Sequence, residues 1–267
     1  MLNPDFTMKV YDCITFFNEI ELLKIRMKIL SPIVDCFVIS EATHTFSGKP
    51  KELILLSRLD EFSEFKDKIL YKPVMNMSLD TDNWGREIHQ RNASKEVLLA
   101  NKCKDEDIII SGDLDEIPNL VGMENWYYPG EIFHPLMRMF YYGINIEKLD
   151  ENNWLGTVIC NYGFMKDKTI DQLRNMKSQG MQYLPGGWHF TYLNNPDGIR
   201  KKIEAFSHQE FNNDGVKNGI EGCVKELRDP FGRVSHFEVH HTFEDYPEYI
   251  REHLDEMDRL GFIWKGS

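Results

Sequence analysis

Asp113 and Asp115 lie in the run Ile108-Ile109-Ile110-Ser111-Gly112-Asp113-Leu114-Asp115-Glu116-Ile117-Pro118, and their type and spacing suit them to metal chemistry. Alternate side chains on extended backbone project the same way, so both carboxylates leave a strand end together while Leu114 turns into the core. Two such carboxylates repel unless a hard cation lies between them. Mg²⁺ or Mn²⁺ held by few protein ligands keeps positions open for substrate phosphates, where it neutralises a departing diphosphate. The competing reading of this run is a solvated acidic turn.

Three further groups of residues extend the chemistry. In Trp84-Gly85-Arg86-Glu87-Ile88-His89-Gln90-Arg91-Asn92, Arg91 and Asn92 follow Ile88 by three and four residues and share its helix face. An Arg and an Asn turned to the sheet edge either pair with the acids at Asp113 or Glu116 or face a diphosphate. His189, in Trp188-His189, is a candidate metal ligand, a donor to a phosphate or sugar hydroxyl, or a satisfied residue of an aromatic strand. Ser207-His208-Gln209-Glu210 closes the next helix, whose C-terminal dipole raises a carboxylate pKa. Glu210 is thus the first candidate general base, with His208 beside it and Glu116 second, against the plainer reading of an exposed helix-end acid. His236, Glu238 and His240 alternate as zinc ligands might along one strand face, but no distant fourth partner is identifiable. A solvated edge strand is the preferred reading there.

The elements that must position these groups alternate in period. Val10–Phe17 is strand-like, and Ile20, Leu23, Met27 and Leu30 then repeat at helical spacing. Val34–Ser40 is a second strand, Leu59, Phe62 and Phe65 mark an amphipathic stretch, and Ile69–Met75 is a third strand. A long helix over about 85–101 precedes the fourth strand, Ile108–Ser111. Strands alternating with helices predict an open α/β sheet, mostly parallel, with ligands beyond the carboxyl ends of its strands. Asn18, Glu19, Glu41 and the 112–116 run fall at such ends. The second half differs: Glu131–Ile146 and Trp154–Met165 suggest antiparallel strands or a ribbon, and Gly186–Tyr192 is a glycine-led aromatic strand. Thr169-x-x-Gln172 predicts a capping box, and Asn195-Pro196 predicts the cap and first turn of a helix burying Ile199, Ile203 and Phe206. A last helix from Pro247 should bury Ile250, Leu254 and Met257. No linker separates domains, so residues 10–267 read as one domain behind a short 1–9 leader. Within it the C-terminal half is elaborated.

The 267 residues carry 31 Lys and Arg against 43 Asp and Glu, a formal charge of −12, with 42% hydrophobic residues. That is ample material for a core. The acidic balance argues against non-specific nucleic-acid binding, which needs a basic patch to release counterions. No apolar run reaches a membrane-spanning length of about 18 residues. The N-terminus shows no secretory signal, and five widely spaced cysteines form no Cys-x-x-Cys pair, which favours reduced thiols in a cytoplasmic setting.

Phe17-Asn18-Glu19, Val38-Ile39-Ser40-Glu41-Ala42-x-x-Thr45-x-x-Gly48, Gln90-Arg91-Asn92, Asp113-Leu114-Asp115-Glu116-Ile117-Pro118 and Gly187-Trp188-His189 together resemble glycosyltransferase family 17 from about Tyr11 to Tyr249. The resemblance implies a GT-A type nucleotide-diphosphate-sugar-binding fold, Mn²⁺ (or Mg²⁺) on Asp113 and Asp115, and UDP-GlcNAc as donor. It also implies inversion at the anomeric carbon and a glycan acceptor, with a nucleotide-binding half over 10–118 and an acceptor-side half with the C-terminal helices over 119–267. By the same resemblance Asn18, Glu19 and Glu41 hold the uridine, Arg91 and Asn92 belong to the donor-facing helix, Trp188 joins the nucleotide-sugar residues, and His189 serves the metal or diphosphate. The animal members carry an N-terminal membrane anchor, which is not seen here. Two other classes compete. A metal-dependent nucleotidyltransferase would need a triphosphate cradle that is not apparent. A carbohydrate-binding module would stack sugars on Trp126, Tyr127, Tyr128, Tyr141 and Tyr142, residues that under the transferase reading are candidates for the acceptor platform or for core packing.

Overall fold

The computed structural model describes residues 8–123, 130–151 and 153–266. β-Branched and aromatic residues make β1 (Val10–Phe16), β2 (Cys36–Ala42), β3 (Ile69–Val74) and β4 (Ile108–Asp113), which pair in parallel in the order β4-β1-β2-β3. Buried on both faces, they read as near-continuous apolar runs, as parallel strands do. Helix α1 (Ile20–Leu30) covers one face and buries the expected Ile20, Leu23, Met27 and Leu30. The stretch around Leu59 is a 3₁₀ segment, Leu56–Phe65, interrupted at Phe62 and anchored by Phe62 and Phe65.

Helix α2 (Asn83–Ala100) starts where Asp82 accepts the Gly85 N–H at 2.7 Å. Its inward side is polar: Arg86, Glu87, Gln90 and Ser94 are buried with Ala93 and Leu98. Gln90 reaches the carbonyls of Phe16 (3.3 Å) and Ser40 (2.8 Å), so this helix caps the ends of β1 and β2 rather than packing only on their faces.

After β4 the chain turns through Leu114 and Asp115 into β5 (Glu116–Pro118). The second half continues the same sheet with β6 (Phe133–Tyr141), β7 (Ile146–Lys148), β8 (Val158–Asn161), β9 (Met181–Thr191) and β10 (Phe237–Val239). β8 runs antiparallel to β4 and joins the halves, while β9 runs parallel to β6 and antiparallel to β5. The antiparallel pairing expected of the second half thus coexists with one parallel pair. Beyond β8, Tyr162–Met165 is a short helix, α3, where a strand was expected to continue.

Thr169 and Gln172 form the predicted capping box opening α4 (Ile170–Arg174). Asn195 caps α5 (Pro196–Ala205), which buries Ile199 and Ile203, while Phe206 ends it and faces a cavity. Helix α6 (Asp214–Glu226) follows, and the expected last helix is two, α7 (Glu248–Glu252) and α8 (Leu254–Arg259), broken at His253. All five cysteines are free thiols. Among the described residues no helix is long and apolar enough to cross a membrane.

Candidate active site

The register pairs Thr15 with both Ser40 and Asp113, and Phe16 with Glu41, so β1, β2 and β4 end level at one edge. Beyond that edge lies a cavity of about 700 Å³. Its floor is the turn from Asp113 to Glu116, held from three directions.

From below, the buried Arg26 of α1 bonds both oxygens of Asp12 (2.8 and 2.7 Å) and gives its remaining terminal nitrogen to the carbonyls of Asp113 (3.2 Å), Leu114 (3.3 Å) and Glu116. From behind, the fully buried Glu116 accepts from the Asp113 N–H (3.0 Å), Thr157 Oγ1 (2.9 Å), Trp154 Nε1 (2.7 Å) and both terminal nitrogens of Arg174 (3.1 and 3.2 Å). This carboxylate fills space reserved for it: a Cβ on Gly156 would lie 1.8 Å from its Oε1, and one on Gly112 2.9 Å from its Oε2. From the side, β5 pairs Glu116 with His189 of β9, which sets the imidazole beside Asp115.

The two aspartates then meet different partners. Asp113 takes Arg91 on Oδ1 (2.6 Å) and Arg174 on Oδ2 (3.0 Å). Asp115 accepts from Lys202 of α5 on Oδ2 (2.7 Å), while its Oδ1 faces His189 Nε2 at 3.4 Å. Burial works against both charges, but Arg174 and Arg91 hold the Asp113 carboxyl well below the usual range, and Lys202 and His189 do so for Asp115. His189 responds in kind: burial disfavours its charge, and Asp115 more than restores it, raising the imidazole pKa. Arg91 also pairs with Glu87, whose carboxyl burial pushes up and whose second oxygen takes the Ser207 hydroxyl.

A family model for glycosyltransferase family 17 matches residues 3–218. The chain belongs to glycosyltransferase family 17. Membership places it among the glycosyltransferases. No curated protein matches it. Among solved structures, galactosyltransferase LgtC in complex with donor and acceptor sugar analogs is 10% identical, with a TM-score of 0.36 over 95% of both chains. An active-site mutant of LgtC is 13% identical, with a TM-score of 0.35 over 95% of both. The inositol-1-phosphate CTP transferase from T. maritima is 10% identical, with a TM-score of 0.33 over 83% of this chain and 98% of that one.

In this family-17 chain the cavity brings together Glu19, Arg91, Asp113, Asp115 and His189, with His208 and Glu210 on its exposed side. The other expected residues lie elsewhere. Glu41 is fully buried and accepts from Lys51 Nζ (2.9 Å), the N–H groups of Ile54 (2.6 Å) and Leu55 (3.1 Å), and Tyr71 Oη (2.8 Å). Four donors use its acceptor capacity, so it pins the 51–55 segment and does not reach the cavity. Asn92 turns from the cavity to α4, accepting the Ile170 N–H at 3.0 Å. Trp188 packs in the core, Asn18 lines a narrow adjoining crevice, and Glu116 supports the floor from beneath without lining it. Glu210 sits in a 3₁₀ turn, Gln209–Phe211, and not at an α-helix end; the His208 Nδ1 at 2.7 Å lowers its pKa where a rise was expected.

Of the aromatic candidates, Tyr141 lines the cavity, Tyr142 is buried with its hydroxyl on the Arg228 carbonyl (2.6 Å), and Trp126, Tyr127 and Tyr128 lie outside the described residues. His236 and His240 hold different acids, Asp150 (2.9 Å) and Glu147 (2.7 Å), and flank an edge strand. Among the described residues no group of three or more His, Cys, Asp or Glu side chains is placed to hold a metal ion.

Sequence reasoning missed Arg26, Glu87, Arg174, Lys177 and Lys202. Three had a signal. Arg26 interrupts the apolar face of α1, the Thr169 capping box fixes α4 so that Arg174 falls in its last turn, and Lys202 follows Ile199 by three residues on α5.

Proposed function

We propose that the chain is an inverting, metal-dependent glycosyltransferase of GT-A type that moves a sugar, GlcNAc from UDP-GlcNAc by family resemblance, to a hydroxyl of a glycan acceptor. The observation that carries the transferase reading is the placing of Asp113 and Asp115 at the floor of a cavity beyond the carboxyl ends of the parallel strands, in a chain of this family; metal dependence, inversion and the GlcNAc donor rest on the family resemblance.

The donor set suits a divalent ion of the Mg²⁺ or Mn²⁺ kind, which binds through one or two protein groups and completes its shell with water and phosphate. Asp115 Oδ1 and His189 Nε2, 3.4 Å apart, would hold it while Lys202 keeps Oδ2. Such an ion supplies neutralising charge to the departing diphosphate. Asp113, already paired with Arg91 and Arg174, orients those guanidinium groups.

In the transfer, the acceptor oxygen bonds to the anomeric carbon as the bond from that carbon to the β-phosphate oxygen breaks. The electron pair leaves with the diphosphate and the hydroxyl proton passes to a carboxylate. Glu210 is that carboxylate in this reading, because it lines the open side of the cavity. Both oxygens of Glu87 are taken, by Arg91 and Ser207, and Glu116 lies under the floor. Glu210 is ionised at neutral pH, and the His208 bond, which lowers its pKa further, must give way as the carboxylate takes the proton.

Incubation with Mn²⁺ and a panel of nucleotide sugars, recording which donor is hydrolysed without acceptor, tests the reading. We expect UDP-GlcNAc hydrolysis that stops on chelation and is abolished by Asp115→Ala. Asp115→Ala activity within about threefold of wild type would remove the metal assignment, since charge neutralisation carries much of such a transfer. Hydrolysis of no donor would favour a carbohydrate-binding module.

A further inference from the structure

Each of the other lysines and arginines facing the cavity has a carboxylate partner. Arg91 has Glu87 and Asp113, Arg174 has Asp113 and Glu116, Lys202 has Asp115, Lys51 has Glu41, and Arg233 has Asp229. Lys177 differs. It lines the same cavity, half-buried, with its ammonium 5.5 Å from the centre of the Trp154 ring, and among the described residues no hydrogen-bond or ion-pair partner reaches it. A half-buried ammonium with no anion in contact is costly, and the neighbouring Arg174 adds like-charge repulsion that Glu116 and Asp113 offset in part from a distance. Burial first and Arg174 second lower its pKa.

The position of Lys177 is built. Its stem follows α4, whose capping box and Asn92 contact fix the start of that segment, and Trp154, which supports the ammonium, is itself tied to Glu116 at 2.7 Å. The same Glu116 holds Arg174 and the Asp113 N–H, so Lys177 is in register with the aspartate floor. A cation held over an indole with no anion in contact, beside a paired aspartate–arginine cluster, fits an anion that arrives with the ligand.

We infer that Lys177 binds the diphosphate of the nucleotide donor, donating to a phosphate oxygen and holding the leaving group as the glycosidic bond forms. This rests on the glycosyltransferase reading and adds to it a protein cation that no sequence motif marked. The compact ammonium suits this role as a point charge.

The test is titration calorimetry of UDP and of uridine, in Mn²⁺, on wild type, Lys177→Met and Lys177→Arg. Methionine preserves an unbranched stem over Trp154, and an unchanged melting temperature checks the fold. We expect Lys177→Met to weaken UDP by about tenfold or more, the worth of a charge-assisted hydrogen bond, while uridine binds as to wild type. Lys177→Arg should recover part of the UDP loss. Unchanged UDP affinity in Lys177→Met, or equal losses for UDP and uridine, would overturn the assignment. If wild type itself binds no UDP, the donor reading falls, an outcome visible before any variant is compared.

Discussion

Gly156 and Glu210 differ in what a single substitution should do. A Cβ at Gly156 would overlap both Glu116 Oε1 (1.8 Å) and Trp154 Nε1 (2.3 Å), so Gly156→Ala must displace the carboxylate that holds Arg174 and the Asp113 N–H. We expect a destabilisation of about 1–3 kcal/mol in urea unfolding, typical of overpacking, together with loss of donor binding. A stable variant with unchanged UDP affinity would show that Glu116 does not organise the floor. Glu210 is exposed and its bond is to the equally exposed His208, so Glu210→Gln should leave stability nearly unchanged. Loss of a general base costs about 10²–10⁴-fold in the transfer rate, while donor hydrolysis and UDP binding stay near wild type. An unimpaired Glu210→Gln would remove it as the base.

Arg26 shows how an element positions a site it does not touch. It sits on the buried side of α1, binds Asp12 of β1 in the core, and reaches three carbonyls of the Asp113–Glu116 turn. Arg26→Met leaves Asp12 buried and unpaired, which costs about 3–5 kcal/mol, and frees the turn. Chemical denaturation should show that loss, and the double variant Arg26→Met, Asp12→Asn should recover part of it without restoring donor affinity. Full recovery of affinity would mean that the carbonyl contacts are dispensable. The strand–helix alternation, the capping box at Thr169 and the Asn195 cap were legible because each is a local pattern whose physics acts within a few residues. The fate of Glu41, Asn92 and Trp188 was not, since a motif fixes where a residue falls in sequence but not which neighbours claim its polar atoms. Arg174, Lys177 and Lys202 come to the aspartates from elements about sixty to ninety residues away, and only the pairing of β5 with β9 and the packing of α4 and α5 bring them there.

Across the whole molecule, one sheet carries both halves, and its far edge is held by charges and not only by packing. Glu147 of β7 joins Arg138 of β6 (3.0 Å) to His240 (2.7 Å) beyond β10, and Asp229 joins Lys148 (3.1 Å) to Arg233. Although burial opposes ionisation, Arg138 and His240 lower the Glu147 carboxyl, and Arg233, the Phe231 N–H and Lys148 lower Asp229. A carboxylate whose folded pKa is depressed contributes stability that is complete above its unfolded pKa and is lost as pH falls through the folded one. The tether should therefore be intact at neutral pH, begin to weaken below about pH 4.3, the ordinary glutamate value, and be lost as the pH falls through the lower folded values. Melting temperatures of wild type and Glu147→Gln, measured between neutral and strongly acidic pH, test this. The variant should melt lower at neutral pH, and the gap should narrow as the pH drops through that range, because wild type then loses the charge the variant never had. A gap that stays constant through the acid limb would mean that Glu147 acts by shape and hydrogen bonding alone, and that the edge of the sheet owes its stability to the apolar packing of Ile146 and Tyr246 instead.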